Sequence, residues 1–216
     1  MNIAIILSGG SGTRFGTETP KQYININNKA IVQYSIEAFE KSKLIDIIVI
    51  VVSDKYKKEI EKKNPDHIVV VGGKSRVESS YKGIMVAPKE SKKILIHDAA
   101  RPFVSQKIIT SCINELDKYK AVVTSISATD TIIKANHDDE VDSIQNREEL
   151  YLNQTPQGFD YQTILQAHQN KRIDVTDDIS LINLNQIKCK IISGSHRNIK
   201  ITTPQDIHTA KSILDL

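Results

Sequence analysis

Short aliphatic runs alternate along this chain with longer amphipathic segments, and this alternation limits the possible folds more than any other feature. The predicted strands, rich in isoleucine and valine, are Ile3–Leu7, Asp46–Val52, His67–Val71, Lys93–His97 and Ala121–Ser127. The predicted helices between them are Ala30–Ser42, Asp54–Lys63, Arg76–Val86 and Gln106–Lys118. Strands that are apolar on both faces are typical of buried parallel sheets, which need helical crossovers. We therefore expect an α/β fold in which a mostly parallel, twisted sheet is flanked by helices.

The pattern changes after residue 127. Residues 128–155 contain two extended segments around an acidic turn, which predicts a β-hairpin arm that leaves the main sheet. The elements expected after the arm are a helix near Tyr161–Gln169, a helical stretch from Asp177, strands near Lys188–Ile192 and Asn198–Thr202, and a closing helix from Pro204. With no repeat and no interdomain linker in 216 residues, we predict a single domain over 1–216 that includes the 128–155 arm.

Bulk composition excludes several classes of protein. A hydrophobic content of 39% argues against disorder, and a net charge of +3 is too small to indicate nucleic-acid binding. No apolar stretch has the length of a membrane span, and no secretion signal is recognisable. Cys112 and Cys189 are far apart and lack CxxC spacing, which favours free thiols in a reducing compartment. We expect a cytoplasmic protein that binds neither nucleic acid nor membrane.

The first predicted strand runs into a loop suited to phosphate. The loop holds glycines at positions 9, 10, 12 and 16, and Arg14 and Lys21 lie within it and just after it. Glycine lets backbone N–H groups approach a polyanion closely, and the two cations supply neutralising charge. Open α/β sheets bind their ligands where such strands end. The sequence therefore predicts a phosphate site at the end of the first strand.

Three kinds of glycine-rich phosphate loop were compared with this segment. A P-loop requires GxxxxGK[ST], and no Gly-Lys-Ser/Thr occurs here. The dinucleotide fingerprint GxGxxG begins at Gly10, but Phe15 stands at its third glycine and Asp54 comes too late to bind the ribose. An NAD-dependent dehydrogenase is therefore a distant alternative. The remaining pattern, Gly-Gly-x-Gly-x-Arg followed by Pro-Lys-Gln, resembles nucleotidyltransferases that join a nucleoside triphosphate to a sugar or polyol phosphate.

Later motifs narrow this resemblance to one family. Residues 72–80, GGKSRVESS, resemble the GGxxRxxS segment of the cytidylyltransferases that act on 2-C-methyl-D-erythritol 4-phosphate, and residues 97–102 match their HDAARP motif. Further matches, in the family's order, are Asp130-Thr131, Arg147, Gln154–Gln157, Thr176–Asp178 and Gly194–Thr202. The resemblance spans the chain and implies a Rossmann-like fold of the nucleotide-diphospho-sugar transferase type. It also implies transfer of a cytidylyl group from CTP to the polyol phosphate, with release of pyrophosphate, for isoprenoid synthesis.

The residues can be matched to the chemistry of such a transfer. A phosphate monoester is largely ionised near neutral pH, so its attack on CTP needs no general base. Negative charge builds on the α-phosphoryl oxygens and the leaving group, which requires cations and a metal. We predict Arg14 and Lys21 as catalytic cations, to which the resemblance adds Lys200. Asp98 follows a buried strand and suits Mg²⁺, the expected cofactor; a salt bridge to Arg101 is the alternative.

The resemblance also assigns binding residues. The implied nucleotide-binding positions are Ser8, Gly9, Gly10, Ser11, Gly12, Thr13, Gly72, Arg76, Ser79, Asp98 and Ala99. The implied acceptor-binding positions are Arg101, Thr131, Arg147, Thr155 and Thr176. In the family the arm embraces a second subunit and its arginine reaches the partner's site. A two-stranded arm is also marginally stable by itself, so we expect a homodimer through residues 128–155.

Two further functions remain open at this stage. Ser8-Gly9-Gly10 stands where methylerythritol enzymes often have Ala-Ala-Gly, and Gly-Gly is common in the sister family that makes CDP-ribitol from ribitol 5-phosphate. Thr176–Ser180 and the HDAARP motif favour the methylerythritol type. The other alternative is a nucleotide-binding protein that has lost catalysis, and the retained cations argue against it because a binder does not need them.

Overall fold

The computed structural model describes residues 1–10, 15–16, 19–169, 175 and 177–215. Its strands are β1 (Asn2–Ser8), β2 (Asn25–Ile26), β3 (Lys29–Ala30), β4 (Ile47–Val52), β5 (Ile68–Val71), β6 (Lys93–Asp98), β7 (Ala121–Ser127), β8 (Ile133–Ala135), β9 (Val141–Ile144), β10 (Tyr151–Asp160) and β11 (Cys189–Ser193). Its helices are α1 (Ile31–Glu40), α2 (Lys57–Lys63), α3 (Arg76–Met85), α4 (Gln106–Glu115), α5 (Tyr161–Gln169), α6 (Asp178–Leu184) and α7 (Gln205–Leu214).

Seven strands form the main sheet in the order β11-β7-β10-β6-β1-β4-β5. Strand β1 is parallel to β4 and β6, and the pairs β4–β5 and β7–β11 are also parallel. Strand β10 is antiparallel to both of its neighbours, β6 and β7. This mostly parallel sheet with flanking helices confirms the predicted α/β class.

Apolar side chains alternate between the two faces of the sheet and build a core on each. In β1, Ala4 and Ile6 pack on one face with residues of α1 and α4, and Ile3 and Ile5 pack on the other with residues of α3, α5 and α6. Each fully buried isoleucine side chain contributes about 1.5–3 kcal/mol to the stability of the fold. Because both faces are covered, the ligand-accessible parts of the sheet are its strand ends.

Helix α3 packs closely against the sheet at Gly83. A Cβ atom at Gly83 would lie 2.6 Å from Ile5 Cγ2 and 3.0 Å from Val51 Cγ2, so only glycine fits there without movement of its neighbours. This close approach holds the N-terminal turn of α3 beside the carboxyl ends of β1 and β4, where a ligand would bind.

Two predicted segments differ from the structure. The extended segment expected to run from Val141 to Gln154 is divided into β9, a 3₁₀ turn at Arg147–Glu149 and the first residues of β10, which pairs with β7 in the main sheet. Polar residues and Pro156 obscured this strand, because proline is rare in central strands; the structure accommodates it at a register shift between Asn153 and Gln157. The strand expected at Asn198–Thr202 is absent, and these residues are irregular.

The arm and the cysteines complete the description of the fold. Strands β8 and β9 form a separate two-stranded antiparallel sheet, in which Ile133 lies opposite Ile144. The thiols of Cys112 and Cys189 are free, as predicted. Among the described residues, no helix combines the length and apolar character that crossing a bilayer requires.

Candidate active site

A cavity of about 540 Å³ opens at the carboxyl ends of β1 and β6. Its described lining residues are Leu7, Gly9, Gly10, Phe15, Lys21, Gln22, Gly73, Lys74, Ser75, Arg76, Ser79, Asp98, Ala100, Lys200 and Thr202. The lining therefore combines the start of the glycine-rich loop, the N-terminal turn of α3 and the irregular segment before α7. Three of the cations singled out in the sequence line this one cavity: Lys21, Arg76 and Lys200.

The loop that leads into α3 holds a second glycine pair, of which Gly73 lines the cavity. Ser75 caps the helix by accepting the Glu78 N–H at 3.0 Å, and the Gly73 N–H donates to Ser79 Oγ at 3.0 Å. A Cβ atom at Gly72 would lie 2.8 Å from Ser79 Oγ, so glycine is needed for the loop to lie against the helix. The positive end of a helix dipole at a cavity wall favours an anionic ligand such as phosphate.

Asp98 is the carboxylate at the centre of the site. The Arg76 Nε–H donates to Asp98 Oδ1 at 3.0 Å, and Lys200 Nζ donates to Oδ2 at 2.6 Å. Burial of Asp98 would raise its pKa, but the charges of Arg76 and Lys200 outweigh burial and hold the pKa well below its usual range. These cations, and not Arg101, are its salt-bridge partners.

Arg76 also joins the cavity to a buried polar cluster that the sequence analysis missed. Its Nη1 donates at 2.5 Å to Asp178 Oδ2, and the fully buried Asp178 also accepts a hydrogen bond from Ser80 Oγ. His168 Nε2 lies 3.3 Å from Asp178 Oδ1. The spacing of Asp178 with the buried Leu181 and with Ile182 could have placed this carboxylate on the inner face of a helix.

Lys21 begins a short 3₁₀ turn that is anchored to the end of β1. Gln22 Nε2 donates to the carbonyl oxygens of Ser8 at 2.8 Å and Gly10 at 2.7 Å. The Tyr23 hydroxyl donates to the same Ser8 oxygen at 2.9 Å, and its ring stacks on Tyr56 with 3.8 Å between centroids. The motif Pro-Lys-Gln was recognised for its lysine, but the glutamine and the following tyrosine hold that lysine at the cavity.

Thr155 and His97 form a buried chain of hydrogen bonds that supports the backbone at Asp98. The backbone N–H of Asp98 donates to Thr155 Oγ1 at 3.0 Å, and that hydroxyl lies 3.1 Å from His97 Nδ1. His97 Nε2 donates to the Arg101 carbonyl at 3.0 Å, which leaves Nδ1 to accept from Thr155. Burial lowers the pKa of His97 to about 4, so the ring is neutral near pH 7 and braces the strand end.

The remaining predicted site residues lie elsewhere. Arg101 and Thr155, predicted for acceptor binding, are buried and are absent from the described lining. The predicted nucleotide-binding residues Ser8, Gly72 and Ala99 are also absent from it; Ser8 and Ala99 are buried, and Gly72 is partly exposed. Thr131 and Arg147 are exposed in the 128–155 arm, where Arg147 Nη1 donates to the Thr129 carbonyl at 2.9 Å. The predicted residues outside the described part of the chain are Ser11, Gly12, Thr13, Arg14 and Thr176.

One carboxylate is available to a metal at this site. Asp98 is the only carboxylate among the described lining residues, and no group of three or more His, Cys, Asp or Glu side chains that could hold a metal occurs in the described ranges. A single protein carboxylate fits Mg²⁺, which keeps several waters and binds substrate phosphates. It does not fit a structural zinc centre, which takes four protein ligands.

Together, the mostly parallel sheet and the cation-lined cavity at its strand ends define an α/β nucleotidyltransferase. The chain belongs to the 2-C-methyl-D-erythritol 4-phosphate cytidylyltransferase (IspD) family, whose sequence model matches residues 2–216. The cytidylyltransferase of that name from Clostridium beijerinckii is 42% identical over 218 residues, covering 96% of each chain. That from Lachnoclostridium phytofermentans is 36% identical over 223 residues, covering 98% of this chain and 95% of the relative.

Solved structures give the same result. The crystal structure of 4-diphosphocytidyl-2C-methyl-D-erythritol synthase from Anaerococcus prevotii superimposes with a TM-score of 0.90 and 31% sequence identity, over 100% of this chain and 96% of that one. The Francisella tularensis 2-C-methyl-D-erythritol 4-phosphate cytidylyltransferase superimposes with a TM-score of 0.84 and 26% identity, over 98% and 99% of the two chains. The family resemblance found in the motifs is thereby confirmed.

Proposed function

We propose that this enzyme transfers the cytidylyl group of CTP to 2-C-methyl-D-erythritol 4-phosphate, forming 4-CDP-2-C-methyl-D-erythritol and pyrophosphate. The observation that carries the proposal is the convergence of Lys21, Arg76 and Lys200 on the cavity that contains Asp98. The identity of relatives with this activity in their names, 36–42% over nearly the whole chain, supports the methylerythritol acceptor over ribitol 5-phosphate.

The reaction requires charge stabilisation and no general base. An oxygen of the acceptor phosphate attacks the α-phosphorus of CTP, and the bond from that phosphorus to the bridging oxygen of the β-phosphate breaks. Pyrophosphate leaves with the bonding electron pair, so no proton has to move in this step. Lys21 and Lys200 stabilise the charge that develops on the α-phosphoryl oxygens, because preorganised cations act most strongly where charge increases. From its place in the loop sequence, Arg14 is proposed for the same role.

We propose Mg²⁺ as the cofactor and Asp98 as its protein ligand. The lowered pKa of Asp98 keeps the carboxylate ionised, and each of its oxygens has a second lone pair besides the one directed at Arg76 or Lys200. When bound, the metal neutralises charge on the phosphates of CTP. Binding of Mn²⁺ with a non-hydrolysable CTP analogue, followed by electron paramagnetic resonance, should weaken at least tenfold in Asp98→Asn. Unchanged Mn²⁺ affinity would contradict this assignment.

We also propose that two chains pair through the arm. Ile133, Val141 and Ile144 are 52%, 60% and 71% exposed on a hairpin that would be marginally stable alone. Pairing would cover these side chains and bring Arg147 to the partner's acceptor site. Light scattering at micromolar concentration should give a dimer, and Ile144→Asp should yield monomers with a raised KM for the acceptor. A monomeric, fully active wild-type enzyme would contradict the proposal.

The substrate assignment is tested with both acceptors in parallel. Pyrophosphate release from CTP should be rapid with 2-C-methyl-D-erythritol 4-phosphate and at least a hundredfold slower with ribitol 5-phosphate. Turnover with ribitol 5-phosphate alone would overturn the proposed acceptor, and CTP binding without turnover of either would indicate a catalytically inactive member of the family.

A cytoplasmic location is proposed from the two thiols. Cys112 and Cys189 are both unpaired, and free cysteines are usual in reducing compartments. Cell fractionation with an antibody to the protein would test this, and recovery from an oxidising compartment would contradict it.

A further inference from the structure

Lys200 is placed accurately although it lies in a segment without regular structure. Residues 194–203 form neither helix nor strand. The Lys200 side chain is 37% exposed, yet its Nζ lies 2.6 Å from Asp98 Oδ2. Because no strand ladder or helix fixes this segment, other contacts must set the position of the ammonium group.

Arg101 supplies the first of these contacts. Its side chain is buried, with Nη1 donating to the Asn198 carbonyl at 2.7 Å and Nη2 donating to the Asn153 carbonyl at 3.2 Å. The backbone N–H of Arg101 donates to the Asp98 carbonyl at 2.9 Å, so one tight turn carries both side chains. Arg101 therefore joins the turn that presents Asp98 to the segment that presents Lys200.

Two further contacts hold the segment on either side of Lys200. The fully buried Asn198 donates from Nδ2 to the Thr155 carbonyl at 2.9 Å. On the other side, the backbone N–H of Ile201 donates to the Ala100 carbonyl at 2.8 Å, and the Ile201 side chain is fully buried. Lys200 thus projects from a short span whose two ends are fixed to the strands and turns around Asp98.

We infer that Arg101 is a positioning residue that sets the Lys200 ammonium opposite Asp98, and that it does not bind the acceptor phosphate. Both terminal nitrogens of its guanidinium already donate to main-chain carbonyls, and its buried Nε has no hydrogen-bond partner among the described residues. The side chain is also buried and absent from the described cavity lining, so a phosphate in that cavity would reach the guanidinium only if the segment that carries Lys200 moved. The inference rests on the proposed function, because it assigns Arg101 a part in the step that Lys200 promotes.

The first test compares Arg101→Lys with a matched control. Lysine keeps the charge but cannot reach two carbonyls at once, so kcat should fall by about tenfold to a hundredfold through misplacement of Lys200. KM should change less than about twofold for either substrate. Arg197→Lys is the control, since Arg197 is exposed in the same segment and donates from Nη2 to the Ile213 carbonyl at 3.0 Å. Its kcat should stay within about twofold of wild type.

A double-mutant cycle separates positioning from an independent role. In a Lys200→Gln background, followed by single-turnover formation of the CDP product, Arg101→Lys should have little further effect because the group it positions is gone. Losses that multiply in the double variant would overturn the inference. So would an Arg101→Lys enzyme with unchanged kcat and an acceptor KM raised tenfold, which is the behaviour of a phosphate ligand.

Folding and the substrate assignment are controlled separately. If circular dichroism shows that Arg101→Lys is unfolded, Asn198→Ser replaces it in the test, because this substitution loosens the same span. Asn198→Ser should lower kcat with little change in either KM. In the Lys200→Gln background it should have little further effect. A folded Asn198→Ser enzyme with wild-type kcat would refute the positioning role. Wild-type turnover with the methylerythritol acceptor is measured alongside. Its absence would mark failure of the proposed function, whereas normal wild-type turnover with losses that multiply in the cycle would mark failure of the positioning role alone.

Discussion

Replacement of Asp178 by alanine tests how the buried cations of the site are held. The carboxylate is fully buried and accepts a hydrogen bond from Arg76 Nη1 at 2.5 Å. Removing one member of a buried ion pair costs about 3–5 kcal/mol, because the other charge stays buried without its partner. Arg76 would keep its bond to Asp98, and Ser80 Oγ could still donate to the Val77 carbonyl at 2.9 Å. We therefore expect the lower end of that range, about 3 kcal/mol.

Unfolding in urea, followed by circular dichroism, measures this loss directly. For a chain of this size, about 3 kcal/mol should lower Tm by about 6–12 °C. Asp117→Ala is the matched control, because Asp117 pairs with Lys93 Nζ at 2.6 Å while its side chain is 68% exposed. An exposed pair contributes at most about 1 kcal/mol, so the control should unfold almost as wild type does. Equal losses in the two variants would refute the argument from burial.

The pH dependence of the free energy of unfolding provides a second, independent test of the buried Asp178 carboxylate. Burial would raise the pKa of Asp178, but the charge of Arg76 and the bonds from His168 and Ser80 outweigh burial and lower the pKa. A carboxylate whose pKa is depressed in the folded state stabilises the protein above its unfolded pKa of about 3.9, and this stabilisation is lost as pH falls through the folded value. The difference between wild type and Asp178→Ala should shrink below about pH 4. A difference that stays constant to pH 2 would contradict the assignment.

Three shorter predictions concern other parts of the site and core. Lys21→Ala should lower kcat by about 10²–10³ in single-turnover assays while CTP affinity changes less than tenfold; equal losses would indicate ground-state binding. Because the pKa of His97 falls to about 4, wild type should lose up to about 3 kcal/mol between pH 6.5 and pH 4 in urea titrations. His97→Gln should lack this slope, and an equal slope in both proteins would contradict the buried neutral ring. Gly83→Ala should destabilise by about 1–3 kcal/mol, since its Cβ would lie 2.6 Å from Ile5 Cγ2; a higher Tm would contradict the packing.

The hydrophobic pattern alone could predict the strands that are buried by helices on both faces of the sheet. Strand β7 has the predicted bounds, and β1, β4, β5, β6 and β11 differ from prediction by one residue at one or both ends, because runs of isoleucine and valine satisfy both faces. Strand β10 was not recognised, since its Asn153–Gln157 stretch is polar and contains Pro156. Its place between β6 and β7 depends on partners distant in sequence, and no local pattern reports such pairing.

The charged residues that line the cavity could be predicted from sequence motifs, whereas the residues that hold them in place could not. Lys21, Arg76, Asp98 and Lys200 were singled out in the sequence, and the structure brings all four to one cavity. Arg101 stood in the same HDAARP motif as Asp98 and was predicted to bind the acceptor, but its guanidinium is directed to main-chain carbonyls.

The sequence by itself determined the fold class, the family and the set of charged groups, because these depend on residue type, period and spacing along the chain. Tertiary structure decided which of those groups face the ligand and which are held inside. Lys200 and Asp98 are 102 residues apart and meet only because the segment after β11 is fastened beside β6. Arg101 and Asp178 are as polar as any cavity residue, yet burial and hydrogen-bond partners from other elements give them supporting positions, and these properties exist only in the folded chain.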